Sequence, residues 1–226
     1  SALVEAQATK WANHRTRLDV AREMYRKRFP DEDPAGFTRR ELLGREGRRV
    51  RECYRREAAR VGIRWKGREY VPGDFGSSDP VNQAITAAAQ CMYGIAQTAV
   101  AALGCAPGLG FIHSGHELAF VLDIADLYKT EVAIPVAFEV AAESAQDVGS
   151  RTRRAIRDKV NKIGLLQRCV EDIKDLLLPE GGADPTEEDM DRVMLQSDHG
   201  IEVESGRNYA DDILFTDLGE GGEVTW

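Results

Sequence analysis

The sequence has no Cys-x-x-Cys pair: its four cysteines, Cys53, Cys91, Cys105 and Cys169, stand far apart. That spacing excludes a zinc knuckle and a dithiol redox motif. No signal peptide opens the chain, so a reduced, cytoplasmic protein is expected. The chain begins Ser1-Ala2 without Met and runs straight into a helical pattern, which leads us to expect further sequence before Ser1. Asp, Glu, Lys and Arg are all missing from Pro80 to His116. Asn82, Gln83, Gln90 and Gln97 interrupt that stretch, and small residues dominate it. A buried central helix with close-packed neighbours therefore explains it better than a membrane span does. No internal repeat is visible.

Charge is present but unevenly spread. The net charge over 226 residues is −8, with 42% hydrophobic residues, enough for a core and against wholesale disorder. Residues 180–226 hold 14 acidic side chains against Arg192 and Arg207, a net −12. Residues 1–179 carry +4, and residues 1–70 alone carry +8. A basic head and an acidic tail call for separate reading. We expect an α-helical domain over 1–179 and, over 180–226, an acidic tail that is flexible or ordered by a partner. Such a tail could dock on a basic partner or compete for a DNA channel.

Hydrophobic periodicity predicts an all-α body. Helices are expected at 3–29, 38–61, 81–103, from Glu117 to before Pro135, and at 136–142, 146–163 and 165–178. Thr38 and Glu41 are spaced as a capping box, and Asp79-Pro80 should cap the third helix. Trp65-Lys66-Gly67-Arg68-Glu69-Tyr70 reads as a short hairpin near residues 63–71. Gly104 to Gly115 is a glycine-rich connector. Pro185 to Gln196 suits a short helix.

Several residues could carry chemistry. Leu118, Phe120, Val121, Leu122, Ile124, Ala125 and Leu127 leave the fourth helix almost no polar face, yet it contains Asp123 and Asp126. Buried carboxylates need a partner: an arginine in a salt bridge, or a cation. His113 ends the connector one short loop away, as a core histidine or as part of a shared site with Asp126. On the second helix Leu43, Val50, Tyr54 and Val61 line up as an apolar stripe, and Arg45, Arg49, Arg56 and Arg60 as a basic one. Glu46 falls on the seam. Gly44 and Gly47 flank it, which suggests close backbone approach or a break. The arginines either form a solvated face or grip phosphate, and Arg64, Lys66 and Arg68 between Trp65 and Tyr70 suit contact with splayed nucleic acid. Gly108-Leu109-Gly110 follows a helix, so it is no dinucleotide fingerprint, and Ser114-Gly115-His116 is no nucleophile elbow.

Together, Leu43-Gly44-Arg45-Glu46-Gly47, Asn82-Gln83, Gly110-Phe111-Ile112-His113-Ser114-Gly115 and Phe120-Val121-Leu122-Asp123-Ile124-Ala125-Asp126 resemble the CRISPR-adaptation integrase. This is the metal-dependent CRISPR-associated endonuclease that inserts new spacers. Trp65 to Tyr70 and Cys91-Met92-Tyr93-Gly94 look closest to subtype I-E. The resemblance implies a prokaryotic protein in which Glu46, His113 and Asp126 are catalytic ligands of magnesium or manganese, and Asp123 a supporting acid. It also implies an N-terminal β domain that this chain lacks. The expected activity joins the 3′-hydroxyl ends of spacer-precursor DNA to the CRISPR repeat by transesterification. The expected partners are double-stranded DNA with single-stranded 3′ ends, a second copy in a homodimer, and a small ferredoxin-like partner dimer. Arg45, Arg48, Arg49, Tyr70, His116, Lys129 and Arg153 are the expected DNA contacts; Asn82, Gln83 and Tyr93 could support the site by hydrogen bonding, and Asn82 or Gln83 could equally cap a helix or pack inside the core. Leu43 stands where relatives tend to carry a basic residue, and His116 where they often carry Lys. The competing reading is a non-catalytic helical DNA-binding or assembly module.

Overall fold

The computed structural model describes residues 2–69 and 78–178, and the backbone of Met194–Gln196 and Glu202–Glu204. Contacts divide the chain into two units, Ser1–Glu180 and Gly181–Trp226.

In the first unit the described residues form helices α1 (Ala2–Ala12), α2 (His14–Arg28), α3 (Arg39–Val61), α4 (Pro80–Ala102) and α5 (Ala119–Leu127). A π turn, Lys129–Ala133, leads into α6 (Ile134–Glu143), α7 (Val148–Ile163) and α8 (Leu165–Leu177). The all-α expectation holds here. Helix α4 is the central element and packs against α5, α6, α7 and α8. Its Ala84, Ala87, Ala88, Ala96 and Ala99 are buried, and small side chains let neighbouring helix axes approach closely. Asp79 accepts the Asn82 amide hydrogen and Pro80 occupies the first turn, as the sequence led us to expect. Among the described residues no helix is long and apolar enough to cross a membrane.

Three expectations for this unit need correction. The first helix is two helices, because Asn13 breaks the run and caps α2 by accepting from the amides of Arg15 and Thr16. Residues 63–69 form no strand ladder, so the hairpin is absent from them; Tyr70 and the rest of that segment to residue 77 lie outside the described residues. The Asn82 side chain takes the place of a partner strand: it donates to Gly67 O and accepts from the Glu69 amide and the Arg68 guanidinium. Trp65 anchors the segment by stacking on Tyr54 at 5.1 Å. The fourth helix does stop before Pro135, as expected: α5 ends at Leu127 with Tyr128 as its C-cap, and the chain then changes its winding. It widens into the π turn, where the amides of Val132 and Ala133 both reach Tyr128 O, and Pro135 enters the first turn of α6, where its missing N–H costs nothing. Finally, the stripe on α3 holds at Tyr54, which is buried, and at Val50 and Val61, which pack against the core, but not at Leu43. Leu43 is exposed and its neighbour Leu42 is buried in its place, with Cys53 and Ala58 also buried. The capping box at Thr38 and Glu41 is formed.

In the second unit β1 (Met194–Gln196) and β2 (Glu202–Glu204) pair antiparallel, with Leu195 opposite Val203. A helix to Gln196 is therefore wrong for its last three residues, and residues 185–193 of that expected helix lie outside the described residues.

Candidate functional site

The site is built where the connector, α2, α3 and α5 meet. The connector is fastened from outside by α1 and α2. Buried Gln7 donates to Ala106 O and Leu109 O and accepts from the Ala106 amide. Trp11 and Arg17 both donate to Gly110 O. Gly110 is required by packing: a Cβ there would lie 2.7 Å from Ala119 and from His113 O. Gly115 then turns the chain at φ +75°, a conformation only glycine adopts freely.

Asp123 holds the end of this connector against α5. One carboxylate oxygen accepts from the amides of Phe111 at 2.6 Å and Ile112 at 3.0 Å. The other accepts from the His113 amide at 2.9 Å and lies 2.7 Å from His113 Nδ1. The sequence left Asp123 a choice between an arginine and a cation. No arginine pairs with it among the described residues: three backbone N–H groups and an imidazole satisfy it, with the side chain fully buried. The hydrogen bond to Asp123 raises the His113 pKa above its ordinary value. Burial opposes this, and the charges of Asp123, Asp126 and Glu46 add to it. Both carboxylates therefore lie within electrostatic reach of the imidazole.

Each of those carboxylates has a cation beside it. Glu46 Oε1 is 2.8 Å from Arg28 Nη1, and Asp126 Oδ1 is 3.3 Å from Lys129 Nζ. Burial lowers the Lys129 pKa, but Asp126, Tyr54 and Tyr93 outweigh it and the net shift is upward, with Arg28 opposing. In these rotamers no three His, Cys, Asp or Glu side chains among the described residues stand close enough to hold a metal ion. Glu46, His113 and Asp126 nevertheless fit a hard divalent cation in kind. With Nδ1–H given to Asp123, a neutral His113 keeps its Nε2 lone pair for a ligand.

Arg28 is the residue that sequence reasoning missed. A signal existed: Ala21, Met24, Tyr25 and Arg28 share the buried side of α2 at helical spacing. Gly44 and Gly47 do not serve close backbone approach. Nothing lies within 4 Å of a Cβ at Gly44, and a Cβ at Gly47 would meet only the far end of Arg51. Helix α3 runs unbroken through both.

The expected DNA contacts divide. Arg45 pairs with Glu32 and lies over the Phe37 ring at 4.0 Å. Arg49 pairs with Asp31 and lies over Phe29 at 4.6 Å. Both guanidiniums are thus held in place. Arg48, His116 and Arg153 are exposed, Lys129 pairs with Asp126, and Tyr70 is outside the described residues. Tyr93 is 37% exposed near Lys129. Buried Asn82 is committed to the Gly67–Glu69 segment and the α4 cap, and Gln83 donates to Ser78 O.

No protein-family model matches the chain. Among curated proteins, the CRISPR-associated endonuclease Cas1 of Clostridium sp. (strain SY8519) is 48% identical over 176 residues, 77% of this chain and 58% of that protein. CRISPR-associated endonuclease Cas1 2 of Thermus thermophilus is 43% identical over 221 residues, 96% of this chain and 66% of that protein. The Escherichia coli (strain K12) protein is 40% identical over 161 residues, 71% of this chain and 53% of its own length. The chain thus spans between about half and two thirds of these relatives. Among solved structures, the TtCas1–DNA complex matches with a TM-score of 0.74 at 44% identity, covering 79% of this chain and 66% of that one. TtCas1 alone matches at 0.73 and 42%, covering 68% of that chain. With motif, fold and sequence all in agreement, the chain belongs to the CRISPR-associated endonuclease Cas1 family.

Proposed function

We propose that this chain is the helical catalytic part of a metal-dependent DNA endonuclease and integrase of CRISPR adaptation, of the subtype I-E kind. Its reaction is transesterification, joining 3′-hydroxyl ends of spacer-precursor DNA to the repeat. The observation that carries the reading is the buried Asp123 carboxylate, which fixes both the backbone and the ring of His113 beside Glu46 and Asp126.

Glu46, His113 and Asp126 would hold magnesium or manganese, which supplies Lewis-acid polarisation of a phosphodiester and eases ionisation of a hydroxyl nucleophile. The chain's own residues do the rest. Asp123 takes the Nδ1 proton of His113 in a hydrogen bond and so presents Nε2. Lys129, held by Asp126, offers positive charge beside the site where phosphate charge would develop. Arg48 and Arg153 are exposed to track a DNA backbone, whereas Arg45 and Arg49 are braced by acids and aromatic rings to present fixed guanidiniums. The relatives' structure in complex with DNA supports a DNA substrate. We extend the reading to a homodimer working with a small ferredoxin-like partner dimer.

The test is Asp126→Ala in a complete complex. Folding should be unchanged and metal-dependent strand joining lost; normal joining by that variant would sink the assignment. The pairing of Glu46 with Arg28 and of Asp126 with Lys129 also suits a non-catalytic helical module. Calorimetry with manganese separates the two: binding that depends on Glu46, His113 and Asp126 favours the enzyme.

A further inference from the structure

Arg28 is a buried cation whose one ion pair among the described residues is with Glu46. Its side chain is 2% exposed, and its Nη1 lies 2.8 Å from Glu46 Oε1. Its Nε and Nη2 have no hydrogen-bond partner and no solvent contact. The Phe29 ring lies 5.2 Å from its Cζ, and Asp31, Glu52 and Glu131 line the same cavity as Arg28 without forming an ion pair to it. Lys129 is close enough for the two positive charges to repel, and its own acid is Asp126. In this arrangement Glu46 is turned to Arg28, and the three donors do not converge.

We propose that Arg28 and a divalent cation compete for Glu46, so that Arg28 sets how tightly the site holds metal; this rests on the metal-site reading above. A cation drawing Glu46 toward His113 and Asp126 strips Arg28 of its paired carboxylate. A buried guanidinium is then left unpaired beside a dication, which is costly. Arg28 is thus a positioning residue: in the metal-free protein it holds Glu46 in a defined place and keeps the site from closing on any passing ion. A supporting role for Arg28 predicts the opposite sign. If it merely oriented Glu46 for the metal, as outer partners of metal ligands usually do, its loss would weaken metal binding.

The experiment is manganese calorimetry on the chain and its Arg28→Gln, Arg28→Met and Glu46→Gln variants, with circular dichroism to confirm folding. Either neutral Arg28 variant that keeps its helix content should bind manganese at least tenfold more tightly than the parent chain. A second measurement needs no Arg28 variant. In the parent chain, saturating magnesium should move the Arg28 Nε–H resonance in a nitrogen-edited NMR spectrum. Binding that Glu46→Gln abolishes, yet that is unchanged or weaker without Arg28, or that leaves the Arg28 resonance in place, overturns this proposal alone. Manganese binding that is absent throughout, or indifferent to Glu46→Gln, overturns the metal-site reading and this proposal with it.

Discussion

Asp123 Oδ1 meets both the amide and the Nδ1 of His113, at 2.9 and 2.7 Å. One carboxylate oxygen therefore fixes the position and the tautomer of the imidazole together. Asp123→Ala should cost about 3 kcal/mol in urea unfolding, because it orphans three amide donors, one buried and two part-buried. Asp123→Asn separates tautomer from fold. The amide oxygen can still accept from Phe111 and Ile112, while an NH2 facing Nδ1 would leave the proton on Nε2 and forgo only the His113 amide. That variant should keep its helix content and lose manganese affinity at least tenfold. Unchanged affinity would show that His113 needs no tautomer control.

Gly110→Ala tests the close approach that forms the connector. Its Cβ would meet Ala119 and the carbonyl of His113 at 2.7 Å, and neither can move without displacing α5 or the histidine. Overpacking of this kind costs roughly 2 kcal/mol. The midpoint of thermal unfolding should fall. Gly44→Ala, with nothing near its Cβ and helical backbone around it, should instead raise stability by about 1 kcal/mol.

The loop joining α2 to α3 should loosen in acid. Tyr25 donates to Glu32 at 2.6 Å, and Glu32 also pairs with Arg45. Burial and Glu32 push the Tyr25 pKa up to about 12, and the Tyr25 bond, opposed by desolvation and aided by Arg45, holds Glu32 below its usual 4.5. A depressed carboxyl pKa stabilises the fold above the unfolded value, and that contribution is lost as pH falls through the folded value. The stability advantage of the parent chain over Tyr25→Phe should therefore be full at neutral pH and shrink below about pH 4.5. Urea titrations of both proteins at pH 7 and pH 3 measure it; an advantage that grows in acid would be inconsistent with this pairing.

Much of this architecture was legible because its signals are local. The cap at Asp79-Pro80, the Thr38 capping box and the charge-free run of α4 each follow from residues a few positions apart. The Glu46, His113, Asp123 and Asp126 motifs were legible as a set. Their partners were less so: Lys129 stands three residues from Asp126, but Arg28 reaches Glu46 from another helix and the connector's path is set from far upstream. Asp123 is satisfied by amides of a connector whose path depends on Gln7, Trp11 and Arg17, roughly a hundred residues upstream. Arg28 looks like one more base in Arg26-Lys27-Arg28 until the helix face is assigned. The hairpin expectation failed for a related reason. Trp65 and Gly67 suit a turn, but the Asn82 side chain, not a second strand, takes up the backbone groups. Leu42 and Leu43 are adjacent, so a small error in helical phase exchanged a buried residue for an exposed one.

Lys27, one residue before Arg28, is the last device that positions the site. It donates to Asp172 of α8 at 2.7 Å and to Asp175 at 3.2 Å. Asp172 also accepts from buried Tyr128 at 2.6 Å, and Tyr128 directly precedes Lys129. One carboxylate thus ties the neighbours of both site cations, on α2 and at the π turn. Asp172 and Asp175 outweigh the burial of Lys27 and raise its pKa. Lys27→Met should cost about 2 kcal/mol, because it strips a largely buried carboxylate of its cation. The loss should persist in about 0.5 M salt, since enclosed pairs are poorly screened. Arg26→Met is the matched control. Its pairs with Glu23 and Asp33 are exposed, so it should cost under about 0.5 kcal/mol and less still in salt. Equal losses in the two variants would mean that the Lys27 pair is merely another surface contact and does not position Arg28.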